Sequence, residues 1–364
     1  MNQPIKAGKG FYYTDAISDT ASIFIKEHVM KDKDKPFFLY VSYTAPHWPL
    51  HAPDNVISKY EDLYLNGWDE LRKKRLEALK KIGMVPKNMI LSDRDKNVQD
   101  WKSVENKEWQ ARRMATYAAQ IDIMDNGIGR IIRELEETGQ LDNTIIFFLA
   151  DNGGCAEGWN SETEWVRRYA PVNTFDGVEV KFGNTPDIIP GPDSTYTSYA
   201  TEWANLSNAP FRWYKHYGHE GGVSSPFIIH WPAGIDVKNV IRNQVAGIID
   251  IMSTIVDISG AEYPEIYNGN AIKPMEGQSM IASARFDENI ERNAYYFEHE
   301  WNRYIRKGKW KLVALWNGKW ELYDMETDRT ETTNLASQFP ELVENMIKDW
   351  EAWAWRTGVL PRPK

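Results

Sequence analysis

Apolar residues recur along this chain with two periods, and the changes between them mark out most of its elements. From position 14 or 15, where Thr14 or Asp15 can cap, to about 28, Ile17, Ala21, Phe24 and Ile25 fall on one helical face that should be buried. After the charged turn KDKDKP, the run FFLYVSY at 37–43 is apolar and aromatic on both parities, as a strand covered on both faces would be. Pro46, Pro49 and Pro53 then exclude helix and strand alike. The stretch WDELRKKRLEALKKIG reads as a charge-paired surface helix. A longer helix is expected from about 106 to 138, because Met114, Tyr117, Ile121, Met124, Ile128, Ile131 and Leu135 recur every three or four residues. It stops at Gly139. NTIIFFLA follows as a second doubly buried strand that DNGG breaks, and PFIIHW is a third. An apolar helix spans about 245 to 258.

Between 155 and 212 no period is sustained, and Gly, Pro, Asn, Asp, Thr and Trp dominate; this predicts a long ordered loop. The organisation changes near 290. NAYYFEH, RYIRKG, KWKLVALW and KWELYDM are short strand-like runs, and Asn317-Gly318 between the last two signals a hairpin with both turn residues at positive φ. A closing helix from near Pro340 carries Leu342, Met346, Trp350 and Trp353 on one side. The pattern predicts an α/β domain over 1–285, a large mostly parallel sheet flanked by helices, and a small C-terminal antiparallel sheet plus helix over 286–364.

With 364 residues, 42% of them hydrophobic, the chain has ample core. Its net charge of -9 offers no basic field for a phosphate backbone, which argues against nucleic acid as a partner. Cys155 is the single cysteine, so neither an intrachain disulfide nor a cysteine metal cluster can form. The apolar runs are too short for a membrane span, and MNQPIKAGKG lacks the apolar middle of a secretory signal, so no compartment is assigned.

In open parallel sheets, ligands sit beyond the C-terminal strand ends. His47 and His51 follow the first expected strand there, and Asp151 and Asn152 the second. Asp151 and Asn152 offer a carboxylate and an amide oxygen to a hard cation, although DNGG is also an ordinary strand exit. His47, in a proline-stiffened loop, can protonate a leaving oxygen or bind an anion, or it can hydrogen-bond the loop backbone; His51 is assigned the backbone role. Lys215 can meet phosphate or sulfate oxygens, or be solvated surface. His219-Glu220 lacks the second histidine of a zinc protease motif. The 16 tryptophans are assigned mainly to packing.

Together these pieces resemble the sulfatase family, within the alkaline-phosphatase-like superfamily. The resemblance runs from GFYYTDAISDTASIFI to WEAWAWRTGVLP, through YTAPHWPLHAP, TIIFFLADNGG, YKHYGHEGGVSSPFIIHWP, IIDIMSTIVDISG and GKWKLVALWNGKWELYDMETDRTETTNLA. It implies that Asp151 and Asn152 are calcium ligands, that Lys215 contacts sulfate oxygens, and that His47 stabilises or protonates the departing alcohol. His219 is carried over only as a neighbour of substrate. The family's two adjacent aspartates, its Lys-x-His pair and the Cys-x-Pro-x-Arg or Ser-x-Pro-x-Arg motif that yields the formylglycine nucleophile are not in this sequence. The expectation is therefore the C-terminal portion of a hydrolase of aryl or carbohydrate sulfates, with an incomplete Ca2+ site, inactive alone, and with a separate N-terminal fragment as a conceivable partner. A sulfated-glycan-binding protein without catalysis and a phosphoryl hydrolase on the same scaffold are the alternatives.

Overall fold

The computed structural model describes residues 4, 6–160 and 163–361. They form two compact units, one of residues 1–76, 93–142 and 154–209, the other of 77–92, 143–153 and 210–364.

In the first unit the helix Tyr13–Asp32 packs on the long helix Lys107–Glu137. Its buried stripe is Thr14, Ser18, Ala21 and Ile25, which is smaller and more polar than the sequence led us to expect; Phe24 is 55% exposed. The reason is close approach. A Cβ placed on Gly127 would lie 2.1 Å from Ser18 Oγ, so the two backbones meet where side chains are least bulky. Ser18 also shares a 2.8 Å hydrogen bond with the Tyr43 hydroxyl, and Arg130 reaches back to Asp15 at 2.8 Å and Asp19 at 3.1 Å.

The helix Gly67–Lys81 has the exposed Glu77–Lys80 pair expected of a surface helix, but it also buries Trp68, Leu71, Arg72 and Leu76. The Trp68 ring stands edge-on to Trp101 at 4.7 Å and to Trp203 at 5.2 Å, and its indole N–H donates to the Gln99 carbonyl. The long segment after Cys155 is ordered around a small core of Trp159, Val166, Val180, Phe182 and Tyr196, with Lys181–Phe182 and Thr195–Tyr196 paired in parallel.

The large parallel sheet is not found among the described residues. Residues 37–43 carry no strand assignment, and Phe38 and Tyr40 are 76% and 79% exposed. In the second unit Ile146–Leu149 pairs with Phe227–His230, but antiparallel, with Ile146 opposite His230 and Leu149 opposite Phe227. These two are not doubly buried either, since Ile228 is exposed. Apolar composition on both parities states that a segment tolerates cover on both faces; it does not state which strand lies beside it or in which direction.

The C-terminal meander is as the sequence suggests. Strands Tyr295–His299, Asn302–Lys307, Trp310–Ala314 and Glu321–Asp324 pair antiparallel in consecutive order. The helix Pro340–Thr357, with proline in its first turn and Gly358 beyond its end, covers one face. Ile305, Leu312, Leu322, Met346 and Trp350 close that core, each aliphatic side chain contributing about 1.5–3 kcal/mol by burial. At the Asn317-Gly318 turn only Asn317 takes positive φ, at 57°, while the Gly318 N–H donates to the Leu315 carbonyl at 2.9 Å. The connection between the two strands is longer than the two-residue loop the dipeptide implies, so one left-handed residue suffices.

Gly127→Ala should destabilise the first unit by about 1–3 kcal/mol in chemical denaturation, despite alanine's better helix propensity, because the Tyr13–Asp32 helix must shift. Adding Ser18→Ala should recover part of the loss; a stabilised single variant would refute the close approach.

Candidate functional site

The second unit builds its site from glycine contacts. After Leu149 the chain runs Ala150-Asp151-Asn152-Gly153, with Asp151 exposed and Asn152 half-buried. The Asn152 side chain donates one N–H to the Gly153 carbonyl at 2.8 Å, and Oδ1 is its acceptor atom. Gly153 N–H donates to the Gly222 carbonyl at 2.9 Å, and a Cβ on Gly153 would fall 1.7 Å from the Gly221 carbonyl oxygen. Gly221 and Gly222 are in turn wrapped by their own loop. A Cβ on Gly221 would meet the Arg212 and Trp213 carbonyls at 2.3 and 2.2 Å, and one on Gly222 would meet those of Tyr214 and Tyr217 at 2.4 and 2.1 Å. Backbone thus stacks on backbone in three layers, and the outermost carries Lys215, which is half-buried. The strand exit that carries Asp151 and Asn152 is thus packed against the Gly221-Gly222 turn, and that turn against the 212–217 loop that carries Lys215.

His219 and Glu220 hold this loop from below. His219 is 0% exposed; its Nε2 lies 3.2 Å from Glu321 Oε2, which also accepts from the Tyr323 hydroxyl at 2.7 Å, and its Nδ1 is buried without a hydrogen-bond partner. His219, expected as a neighbour of substrate, is instead fully buried beneath the loop it anchors. Glu220 receives Lys311 Nζ at 2.8 Å and Arg329 at 2.9 Å, and Lys311 also meets Glu331 at 2.9 Å. Glu331 completes the ring by accepting the Glu220 N–H at 2.8 Å, while its carbonyl takes the Arg212 guanidinium at 2.6 Å. Burial alone would raise the Glu220 carboxyl, but the charges of Lys311 and Arg329 outweigh it and hold it down at about 2. Burial would likewise lower the Lys311 ammonium, and the two glutamates keep it above its ordinary value.

This cluster is invisible to motif reading, since Glu220 is 91 to 111 residues from Lys311, Arg329 and Glu331. The sequence offers one clue, Glu220 directly before Gly221-Gly222 and Lys311 directly before the apolar run LVALW.

His47 belongs to the first unit. Its loop is fastened to residues 191–197: Leu50 N–H donates to Thr197 at 3.1 Å, Ala52 N–H to Gly191 at 3.0 Å, and His51 Nε2 lies 2.6 Å from the Thr195 carbonyl. His51 therefore has the backbone role assigned to it, and its burial lowers the imidazole below its ordinary value. His47 is exposed, with Nδ1 2.9 Å from the Trp48 carbonyl and its ring 4.6 Å from the Trp48 ring. Trp48 is locked against Trp159 at 4.9 Å and donates to Glu157 at 2.7 Å. The Nδ1 contact and the Trp48 ring orient the imidazole. Cys155 and Glu157, which sequence reading did not connect with His47, place their ligand atoms within 4.8 Å of its imidazole and of one another.

The architecture matches solved structures of the alkaline-phosphatase-like sulfatase class. The structure of Ps i-CgsB in complex with k-i-k-neocarrahexaose aligns with a TM-score of 0.61 at 22% identity, over 98% of this chain and 62% of that one. The sulfatase family profile matches residues 1–261, and the profile described as N-sulphoglucosamine sulphohydrolase, C-terminal, matches 210–352. The chain belongs to the sulfatase family. An uncharacterised sulfatase of Schizosaccharomyces pombe is 32% identical over 369 residues, 98% of this chain and 64% of its own length. The arylsulfatase of Klebsiella aerogenes is 30% identical over 278 residues, 75% of this chain and 56% of its own. The chain thus spans between about half and two thirds of the length of these relatives.

Lys311→Met should cost about 3–5 kcal/mol in urea unfolding, because it strands two buried carboxylates, and Glu220→Gln in the same chain should recover part. Glu220's carboxyl is lower in the folded chain than its usual 4.5, so its contribution is complete above about pH 4.5 and is lost as pH falls towards 2. The stability of Glu220→Gln should accordingly fall less steeply over that window.

Proposed function

We propose that this chain supplies the metal, anion and leaving-group side of a site that hydrolyses sulfate esters of aryl or carbohydrate alcohols. Asp151 and Asn152 hold Ca2+, Lys215 binds the sulfate oxygens, and His47 protonates or stabilises the departing alkoxide. His219 acts on the substrate side as a positioning residue, through Glu321 and the corner it shares with Glu220.

The observation that carries this reading is the Asn152 amide. With one N–H anchored on Gly153, the amide offers Oδ1 on the residue next to the exposed Asp151, and an all-oxygen pair suits a hard cation. Calcium would there supply charge neutralisation for the sulfate. Two side chains give two or three of the roughly six to eight oxygens calcium takes, so further ligands come from elsewhere in the proposed site. The formylglycine nucleophile of the family likewise has no precursor motif among these residues, so turnover is proposed for a protein in which such a segment accompanies this chain. The aryl class is supported by the name of the Klebsiella relative. The carbohydrate class is supported by the N-sulphoglucosamine sulphohydrolase profile and by the oligosaccharide in the Ps i-CgsB complex.

With a Cys-x-Pro-x-Arg segment supplied and matured, hydrolysis of nitrophenyl sulfate should exceed that of nitrophenyl phosphate. Lys215→Ala and Asp151→Asn should each lower kcat/KM by about 100-fold or more. His47→Ala should lose most on esters of poorly acidic alcohols and least on nitrophenyl sulfate, because a good leaving group needs no proton. Unchanged kcat/KM in both Lys215→Ala and Asp151→Asn would overturn the assignment.

A further inference from the structure

A second set of metal-competent side chains lies outside the machinery assigned above. His216 Nδ1 stands 3.1 Å from His299 Nε2 and 3.1 Å from Glu300 Oε2, and the two imidazole rings stack with centroids 5.1 Å apart and planes 19° apart. One ligand atom from each of the three residues falls within 4.8 Å of the other two.

The backbone that produces this convergence is unusual. Strands Tyr295–His299 and Asn302–Lys307 pair with His299 opposite Asn302, so Glu300 and Trp301 form the two-residue turn of a hairpin. Both are left-handed, with φ of 49° and 66°, at positions where asparagine and glycine are the easy occupants. Glu298 steadies the turn by accepting the Trp301 N–H at 2.7 Å. His216, on the facing loop, is also left-handed at φ 81°. Two of the three converging side chains therefore stand on backbone that L residues seldom adopt, and their carriers are a hairpin tip and a loop over 80 residues apart in sequence.

We propose that His216, His299 and Glu300 form a divalent transition-metal site of the zinc class, which clasps the loop around residues 212–219 to the Tyr295–Lys307 hairpin. Ligand atoms at zinc bond lengths of about 2.0–2.1 Å in a tetrahedron are about 3.3 Å apart, close to both 3.1 Å separations measured from His216 Nδ1. Two imidazoles and a carboxylate are a borderline donor set that selects zinc, cobalt or nickel over calcium, and they leave a fourth position for water. The side chains of His216 and Glu300 are 26% and 64% exposed, so an ion can enter from solvent. None of the three ligands is among Asp151, Asn152, Lys215 and His47, and His216 adjoins Lys215 on the clasped loop.

Tag-free, chelator-stripped protein titrated with zinc against a chromophoric chelator should bind one tight equivalent per chain, with a rise in Tm. His299→Ala, at the exposed hairpin tip, should keep the metal-free Tm and weaken that equivalent by about 100-fold or more, and Glu300→Gln should weaken it less. The same equivalent should persist in Cys155→Ser and in Asp151→Asn, and its cobalt(II) form should show no thiolate charge-transfer band. Absence of a tight equivalent, its survival in His299→Ala, or its loss in Cys155→Ser would overturn the proposal.

Discussion

The second unit turns on one buried cation. Lys311, 1% exposed, lies between Glu220 and Glu331, and no water is needed to satisfy it, because both carboxylates reach its ammonium and the Tyr304 ring lies beneath it. A charge so placed costs several kcal/mol of hydration unless its partners hold their geometry. The partners are therefore constrained as strongly as the lysine. Glu220 begins the short turn that carries Gly221 and Gly222, and Lys311 is on a central strand of the C-terminal sheet. The ion cluster thus converts the rigidity of a four-stranded meander into a fixed position for a loop that has almost no regular structure of its own.

From that fixed corner the rest follows by exclusion of side chains. Gly153, Gly221 and Gly222 each sit where a methyl group would meet a carbonyl oxygen at less than 2.5 Å. Neither larger side chains nor a shifted register can be accommodated, so the strand exit bearing Asp151 and Asn152 has a single seat. Glu220, Glu331 and Glu321 face Lys311, Arg329 and Arg212, so the cluster is close to neutral and its field falls off over a short distance.

Local order was legible in the sequence where periodicity and turn chemistry act within a few residues. The 106–138 helix, the closing helix after Pro340 and the four-strand meander all appear at or near their expected places, because each is specified by its own face or turn. What failed was pairing. FFLYVSY has the composition of a covered strand, yet a strand is defined by the neighbour that completes its ladder, and nothing in seven residues names that neighbour. The same holds for Phe24 and Ser18: hydrophobicity chose the former for the interface, and the narrow gap at Gly127 chose the latter. For the candidate site, DNGG, the Lys215 loop and the His47 loop were readable as segments. The ion cluster beneath them was not, since long-range charge pairs leave no local pattern.

The two histidines of the proline-rich loop illustrate how burial divides labour within a few residues. His51 is fastened to Thr195 in a dry setting that disfavours its charged form, so it can brace the loop without drawing an anion to itself. His47, four positions earlier, is exposed, and the Trp48 carbonyl and the wedged Trp48 ring orient it. A ring held by Nδ1 and by an aromatic neighbour has its direction set while its edge stays in reach of solvent. For a general acid that must release a proton to a departing oxygen and regain it from solvent, both conditions are required together. The proposed role of His47 draws on the first through tryptophan packing and on the second through exposure.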